Sequence, residues 1–231
     1  MWVFKKIRKQ EKVKVDRKNV LIIICIGKGK KKMKLILASG SKNRQDLFKM
    51  LGWKYEVIKS NIEEQSNATD PSQYVIELSK DKANSVAEQI NEKALIVSAD
   101  SVIYMNGKIF EKPKDKNEAF QNMKSMSGKV TYAVTGVTIK DLYQDKEISF
   151  ADTTEVHFKE ISDEDISWYV ENDEYILERC GYSIAGKGAI FVDKIVGDYN
   201  TVLGISVSKL YSKFKELGYS ISDFDMSDKK N

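Results

Sequence analysis

The feature that most constrains the fold is an alternation of short apolar runs with longer amphipathic stretches. Lys34-Leu35-Ile36-Leu37-Ala38 and Ala94-Leu95-Ile96-Val97 are continuous apolar runs of strand length, closed by Ser39-Gly40-Ser41 and Ser98-Ala99-Asp100. Runs this short, bounded by small polar residues, read as buried strands. After the first, Leu47, Phe48 and Leu51 recur at helical spacing and stop at Gly52, giving a strand, Gly/Ser loop, helix unit. Asp70-Pro71-Ser72-Gln73 then opens a second helix, with Asp70 as N-cap, Pro71 in the first turn and Gln73 placed to complete a capping box. Its apolar stripe is Val75, Leu78, Ala83, Val86 and Ile90. Asn106-Gly107 is a strong hairpin signal joining Val102–Met105 to Lys108–Phe110.

The pattern continues to the C-terminus. Val130–Ile139 pairs naturally with Ile148–Phe158. Ser162 caps a helix with Ile166, Tyr169 and Val170 inward, Ile190-Phe191-Val192 begins a strand, and Ser206–Leu217 forms the last helix. Strands and helices alternate without an internal repeat, so the fold class is α/β.

Charge divides the chain in two. Of 38 Lys/Arg and 34 Asp/Glu, residues 1–32 hold 12 basic side chains against Glu11 and Asp16, leaving 26 basic and 32 acidic in 33–231. The overall +4 is therefore a local +10 attached to a segment of −6. The apolar run Val20–Ile26 is far below the roughly 20 residues of a membrane helix. Lysines follow it where a signal peptide would place a small-residue cleavage site. Trp2 and Phe4 are the only aromatics among the basic residues, a poor match to a nucleic-acid arm. Residues 1–32 are expected to be a loosely ordered basic extension, or to precede a working protein that begins at Met33. Residues 33–231 are expected to be one domain, cytoplasmic, with neither membrane nor nucleic acid as partner.

Two cysteines exclude a disulfide scaffold, and one histidine, His157, cannot serve Ser-His-Asp, Cys-His or His-rich metal chemistry by itself. His157 lies between Val156 and Phe158 on the opposite side of a strand and is not expected to be catalytic. The remaining reactive groups are Asp100, Glu63, Glu64, Lys82, Lys112, Arg44 and Ser41. Carboxylates that hold a divalent cation or activate water, with cations that neutralise phosphate oxygens, are what phosphoryl or nucleotidyl transfer requires. The Ser39-Gly40-Ser41 loop before a helix N-terminus is a place for a phosphate, though many strand-to-helix turns share this composition. Lys82, four residues from both Leu78 and Val86, starts from the inward face and must either snorkel to solvent or meet an anion. In a plain hairpin register Lys112 shares a face with Ser101 while Asp100 points away, so pairing Asp100 with Lys112 would need a bulge or a twist.

The ordered set Leu37-Ala38-Ser39-Gly40-Ser41-Lys42-Asn43-Arg44, Ile62-Glu63-Glu64, Lys82-Ala83, Ala99-Asp100-Ser101, Glu111-Lys112-Pro113 and Ser127-Gly128 resembles the Maf family of nucleoside triphosphate pyrophosphatases. The likeness continues through Ala185-Gly186-Lys187-Gly188-Ala189 and Gly197-Asp198-Tyr199 to Val202-Leu203-Gly204. The resemblance implies a twisted mixed β-sheet flanked by helices, similar to inosine triphosphatases, with a central nucleotide cleft. It also implies hydrolysis between the α and β phosphates with Mg²⁺ or Mn²⁺, a homodimer, and a role in cleansing the nucleotide pool. A nucleotide-binding regulator of cell division is the alternative that the same resemblance allows. Carried over by motif, Asp100 is the proton acceptor for water and Glu64 a second carboxylate, the two being candidate metal ligands. Lys82 and Lys112 hold phosphate, and Ser41 and Arg44 belong to the phosphate loop. The departures include the three positions expected to read the base, Asn43, Ser101 and Ala185. Lys42 and Asn43 stand where Pro-Arg is common, Ser101 where the dTTP/UTP group has Thr, and Ala185 where it has Gln. Base preference therefore leans only weakly to pyrimidines.

Overall fold

The computed structural model describes residues 4–6, 12–15, 21–24 and 33–224. The chain divides into two compact units, Met1–Lys32 and Met33–Asn231. In the first, strands β1 (Phe4–Lys6), β2 (Lys12–Val15) and β3 (Leu21–Ile24) pair antiparallel in that order. Cys25, the rest of the expected extension and the last residues, 225–231, lie outside the described residues.

The second unit holds a seven-stranded mixed sheet. Its strands are β4 (Leu35–Leu37), β5 (Glu56–Val57), β6 (Leu95–Met105), β7 (Lys108–Phe110), β8 (Val130–Asp141), β9 (Lys146–Phe158) and β10 (Val192–Val196). The order is β10-β9-β8-β6-β4-β5, with β7 on the distal half of β6. β4 runs parallel to β6, whereas β8 and β7 run antiparallel to it. The flanking helices are α1 (Lys42–Met50), α2 (Pro71–Gln89), α3 (Lys116–Met126), α4 (Asp163–Asn172), α5 (Tyr199–Leu203) and α6 (Val207–Glu216). Among the described residues no helix is long and apolar enough to cross a membrane. The α/β reading therefore holds, with the mixed sheet flanked by helices that the resemblance implied.

The two faces of the sheet follow strand alternation. Leu35, Leu37, Leu95, Val97 and Ala99 join Phe48, Leu210 and Phe214 from α1 and α6 in one buried cluster. Ile36, Ala38 and Ile96 face the other way, against Ala83 and Val86 of α2. Each fully buried aliphatic side chain contributes about 1.5–3 kcal/mol, so the buried reading of β4 and β6 has an energetic basis on both faces. α2 also carries a polar stripe on the same side: Ser98 Oγ donates to the Ser79 carbonyl, and the Ser79 hydroxyl lies 2.8 Å from that of Thr138. These bonds fix the helix along and across the sheet.

Three local expectations need correction. Asp70 caps α2 through the Gln73 amide at 2.8 Å, but the Gln73 side chain turns to Glu77 instead of closing the capping box. Ile190 and Phe191 belong to a 3₁₀ turn, Lys187–Phe191, and the strand begins at Val192. The hairpin ladder ends at Phe110, so Lys112 is released from the register that placed it beside Ser101.

Candidate active site

The cleft arises from a fork in the sheet. β4 pairs only with Leu95–Val97 of β6, and β7 pairs only with Ile103–Met105. The intervening stretch, Ser98–Val102, has no strand on that edge, and a cleft of about 660 Å³ opens there. Strand alternation sends Asp100 to the α2 face and Ser101 to the other, so consecutive residues serve opposite walls.

Lys82 is the centre of the charged wall. It is only 6% exposed, as is Asp100. Its Nζ lies 2.5 Å from Asp100 Oδ1 and 3.0 Å from Glu64 Oε1. Lys82 thus meets anions instead of snorkelling to solvent, buried where α2 packs on the sheet. Gly136 permits this: it faces Asp100 across β8 and β6, and a Cβ there would sit 2.4 Å from the Val75 backbone of α2. Lys112, freed from the hairpin ladder, meets Glu64 Oε2 at 3.6 Å and not Asp100. Tyr74 donates its hydroxyl to Glu111, tying the start of α2 to the residue before Lys112. Burial opposes ionisation of Glu64, but the nearby Lys82, Lys112 and Arg44 charges outweigh it and hold its carboxyl below the usual value.

The second wall is organised by Arg44 on α1. Its Nε donates to the Gly204 carbonyl at 3.0 Å, Nη1 to Ser39 Oγ at 3.2 Å and Nη2 to Ser101 Oγ at 2.8 Å. Ser101 in turn contacts Thr135, whose hydroxyl donates to the Thr201 carbonyl at 2.9 Å. Arg44 therefore ties the Ser/Gly loop, the central strand and the 201–204 segment together. Cys180 donates its thiol to the Ser101 carbonyl on the unpaired edge, and burial pushes that thiol up to about 12, so it is not a nucleophile at neutral pH.

Asp100, Glu64, Lys82, Lys112, Ser41, Asn43, Arg44 and Ser101 all line this one cleft. Ala185 does not: it is exposed in the turn before Lys187–Phe191. His157 also lies elsewhere, 3.1 Å from Glu155 on β9. Residues outside the sequence expectation that line the cleft include Lys59, Thr135, Tyr175 and Tyr182. None carries a local motif of its own. Thr135 could have been found only from its register opposite Ser101.

Of the three carboxylates that line the cleft, Glu64, Asp100 and Glu178, the first two meet at Lys82 and make a small donor set, and among the described residues no group of three or more His, Cys, Asp or Glu side chains forms a metal cage. That set fits a hard cation such as Mg²⁺ or Mn²⁺, which takes one or two protein carboxylates, keeps waters and completes its shell with substrate phosphates.

The family model described as Maf-like protein matches residues 34–217. The dTTP/UTP pyrophosphatase of Thermoanaerobacter sp. (strain X514) is 41% identical over 183 residues, covering 79% of this chain and 96% of the relative. That of Carboxydothermus hydrogenoformans is 39% identical over 187 residues, covering 81% and 100%. Among solved structures, a HAM1 protein from Coxiella burnetii is similar at 13% identity over 55% of this chain and 73% of that one, with a TM-score of 0.40.

Proposed function

The chain belongs to the Maf family, and from that premise we propose that its cleft hydrolyses a pyrimidine nucleoside triphosphate, dTTP or UTP, between the α and β phosphates. The products are the monophosphate and pyrophosphate. The observation that carries the reading is the buried Lys82 between Asp100 and Glu64, inside the cleft that the Ser39–Arg44 loop borders.

Asp100 is the group that accepts the proton of the attacking water. Oδ1 is engaged by Lys82 at 2.5 Å, which orients the carboxylate and leaves Oδ2 to take the water's proton. Lys82 and Lys112 supply the positive charge that the departing pyrophosphate requires, and Lys82, buried between Asp100 and Glu64, needs little reorganisation to do so. The N-terminus of α1, reached through Ser41, offers backbone N–H groups to a phosphate oxygen. Arg44 contributes its charge while acting chiefly as the clamp on the loop. A divalent cation would be held by Glu64 and Asp100 together with phosphate oxygens, and would supply charge neutralisation at the reacting phosphate.

Base recognition falls to Asn43 and Ser101, since Ala185 stands outside the cleft. The Ser101 hydroxyl is already shared between Arg44 and Thr135, so its reading of the base is indirect. The same proposal includes a cytoplasmic homodimer that cleanses the nucleotide pool, with residues 1–32 as an accessory to the catalytic unit. A panel of canonical and modified triphosphates with Mg²⁺ or Mn²⁺, scored separately for pyrophosphate and orthophosphate, tests the reaction. Pyrophosphate release with the highest kcat/KM on dTTP or UTP is the expected result. Orthophosphate as the product would overturn the reaction class, and a purine preference would overturn the substrate.

A further inference from the structure

The Ser39-Gly40-Ser41 loop has a cation against it that no motif identifies. Lys59 follows β5 at the edge of the sheet and lies across Gly40. A Cβ at Gly40 would sit 2.9 Å from Lys59 Cε, 3.3 Å from Cδ and 3.5 Å from Nζ. The glycine is thus the surface on which the lysine stem rests, and the ammonium is carried to the mouth of the cleft, which Lys59 lines beside Ser60 and Glu64.

Its state of pairing separates it from Lys82 and Lys112 and is shared, among the described residues, by Lys42, the exposed lysine at the start of α1 that also lines the cleft. Lys82 contacts Asp100 and Glu64, and Lys112 contacts Glu64. Lys59 is exposed, and among the described residues no carboxylate lies within ion-pair distance of its ammonium. An ammonium packed by its stem against a phosphate-type loop, with no protein anion, is a preorganised point charge for an anion that arrives with the substrate. The loop itself gives a reason for such a charge. Position 43 is an uncharged Asn, and the Arg44 guanidinium is spent on Ser39, Ser101 and Gly204.

We propose that Lys59 is a further substrate-binding residue, which holds the β- and γ-phosphates of the triphosphate over Gly40. The proposal rests on the triphosphate reading of the cleft. Because Lys59 touches the departing group and not the attacked phosphorus, it acts on binding more than on the chemical step.

The test is steady-state pyrophosphate release from dTTP by the full chain and by Lys59→Gln, Lys59→Arg and Lys54→Gln, with calorimetric titration of inorganic tripolyphosphate into each. Lys54 is exposed and outside the cleft lining, so it reports the effect of removing any nearby charge. Lys59→Gln is expected to raise KM about tenfold with kcat within about twofold, to weaken tripolyphosphate to a similar extent, and to be rescued by Lys59→Arg. Lys54→Gln should match the wild type. A Lys59→Gln variant with unchanged KM and unchanged tripolyphosphate affinity, or one no worse than Lys54→Gln, overturns the proposal while leaving the pyrophosphatase reading intact. If the wild type releases no pyrophosphate, that reading fails and tripolyphosphate decides the rest: affinity lost in Lys59→Gln keeps Lys59 as a polyphosphate-binding residue, and affinity unchanged or absent in the wild type removes it.

Discussion

Replacing Gly136 by alanine should damage the active site from the strand beside Asp100, by wedging α2 off the face that both share. The added methyl would stand 2.4 Å from both the carbonyl carbon and oxygen of Val75 and 2.7 Å from the Ile76 nitrogen. Carbon contacts are comfortable at about 3.5 Å and beyond, so α2 and β8 must separate by roughly 1 Å. The obstacle is main chain and cannot rotate away. The cost should therefore fall at the upper end for overpacking, about 3 kcal/mol, equivalent to a fall in Tm of roughly 6–12 °C for a domain of this size. α2 is a continuous helix from Pro71 to Gln89, and Lys82 lies two turns beyond Val75. A shift of that helix would stretch the 2.5 Å contact to Asp100 to about 3.5 Å, the limit of a hydrogen bond. Misplacement on this scale costs about a hundredfold in rate. Urea denaturation gives the stability change, and pyrophosphate release below the variant's melting range gives kcat/KM. A variant within about 1 kcal/mol of wild type would refute the claim that Gly136 sets the approach of α2. Lost stability with undiminished kcat/KM would show that β8 yields instead and that Lys82 does not depend on the contact.

Asp100→Asn keeps the shape of the side chain but removes the proton acceptor, and should lower kcat at least about a hundredfold in the pyrophosphate assay; equal turnover would remove Asp100 from that role. Glu64 is held below its ordinary value of 4.5 by its cationic neighbours, despite opposing burial. A depressed carboxyl stabilises the folded form fully above the unfolded value, and this contribution is lost as pH falls through the folded one. The stability gap between wild type and Glu64→Gln should thus be widest near neutrality and close as pH drops below about 4.5, as followed by denaturation at stepped pH; a gap independent of pH would contradict the assigned charge pairing. Deleting residues 1–32 should leave kcat/KM for dTTP within about twofold of the full chain, and a loss of tenfold or more would make the segment part of the catalytic unit.

Much of the scaffold was legible because its causes are local. The apolar runs at Leu35–Leu37 and Leu95–Val97, the Asp70-Pro71 helix start and the Asn106-Gly107 turn each act through near neighbours, and all appear where the pattern places them. The boundary at Val192 failed because Ile190-Phe191-Val192 is equally apolar in a 3₁₀ turn and in a strand.

The inventory of charges was also written in the sequence: with one histidine, the chemistry had to fall on carboxylates, lysines and arginine. Which charge meets which was not. Lys82 could have snorkelled, and Lys112 could have joined Asp100; both outcomes were decided by long-range geometry. Gly136 lets α2 lie close enough to bury Lys82 against Asp100, and the end of the ladder at Phe110 frees Lys112 for Glu64. Arg44 reads as one more phosphate cation, yet tertiary structure gives it the carbonyl of a residue 160 positions away and makes it a clamp. Sequence periodicity records which face a residue occupies because that depends on its own strand or helix. The distance between two elements depends on the atoms both bring to the contact, and only the folded chain brings them together.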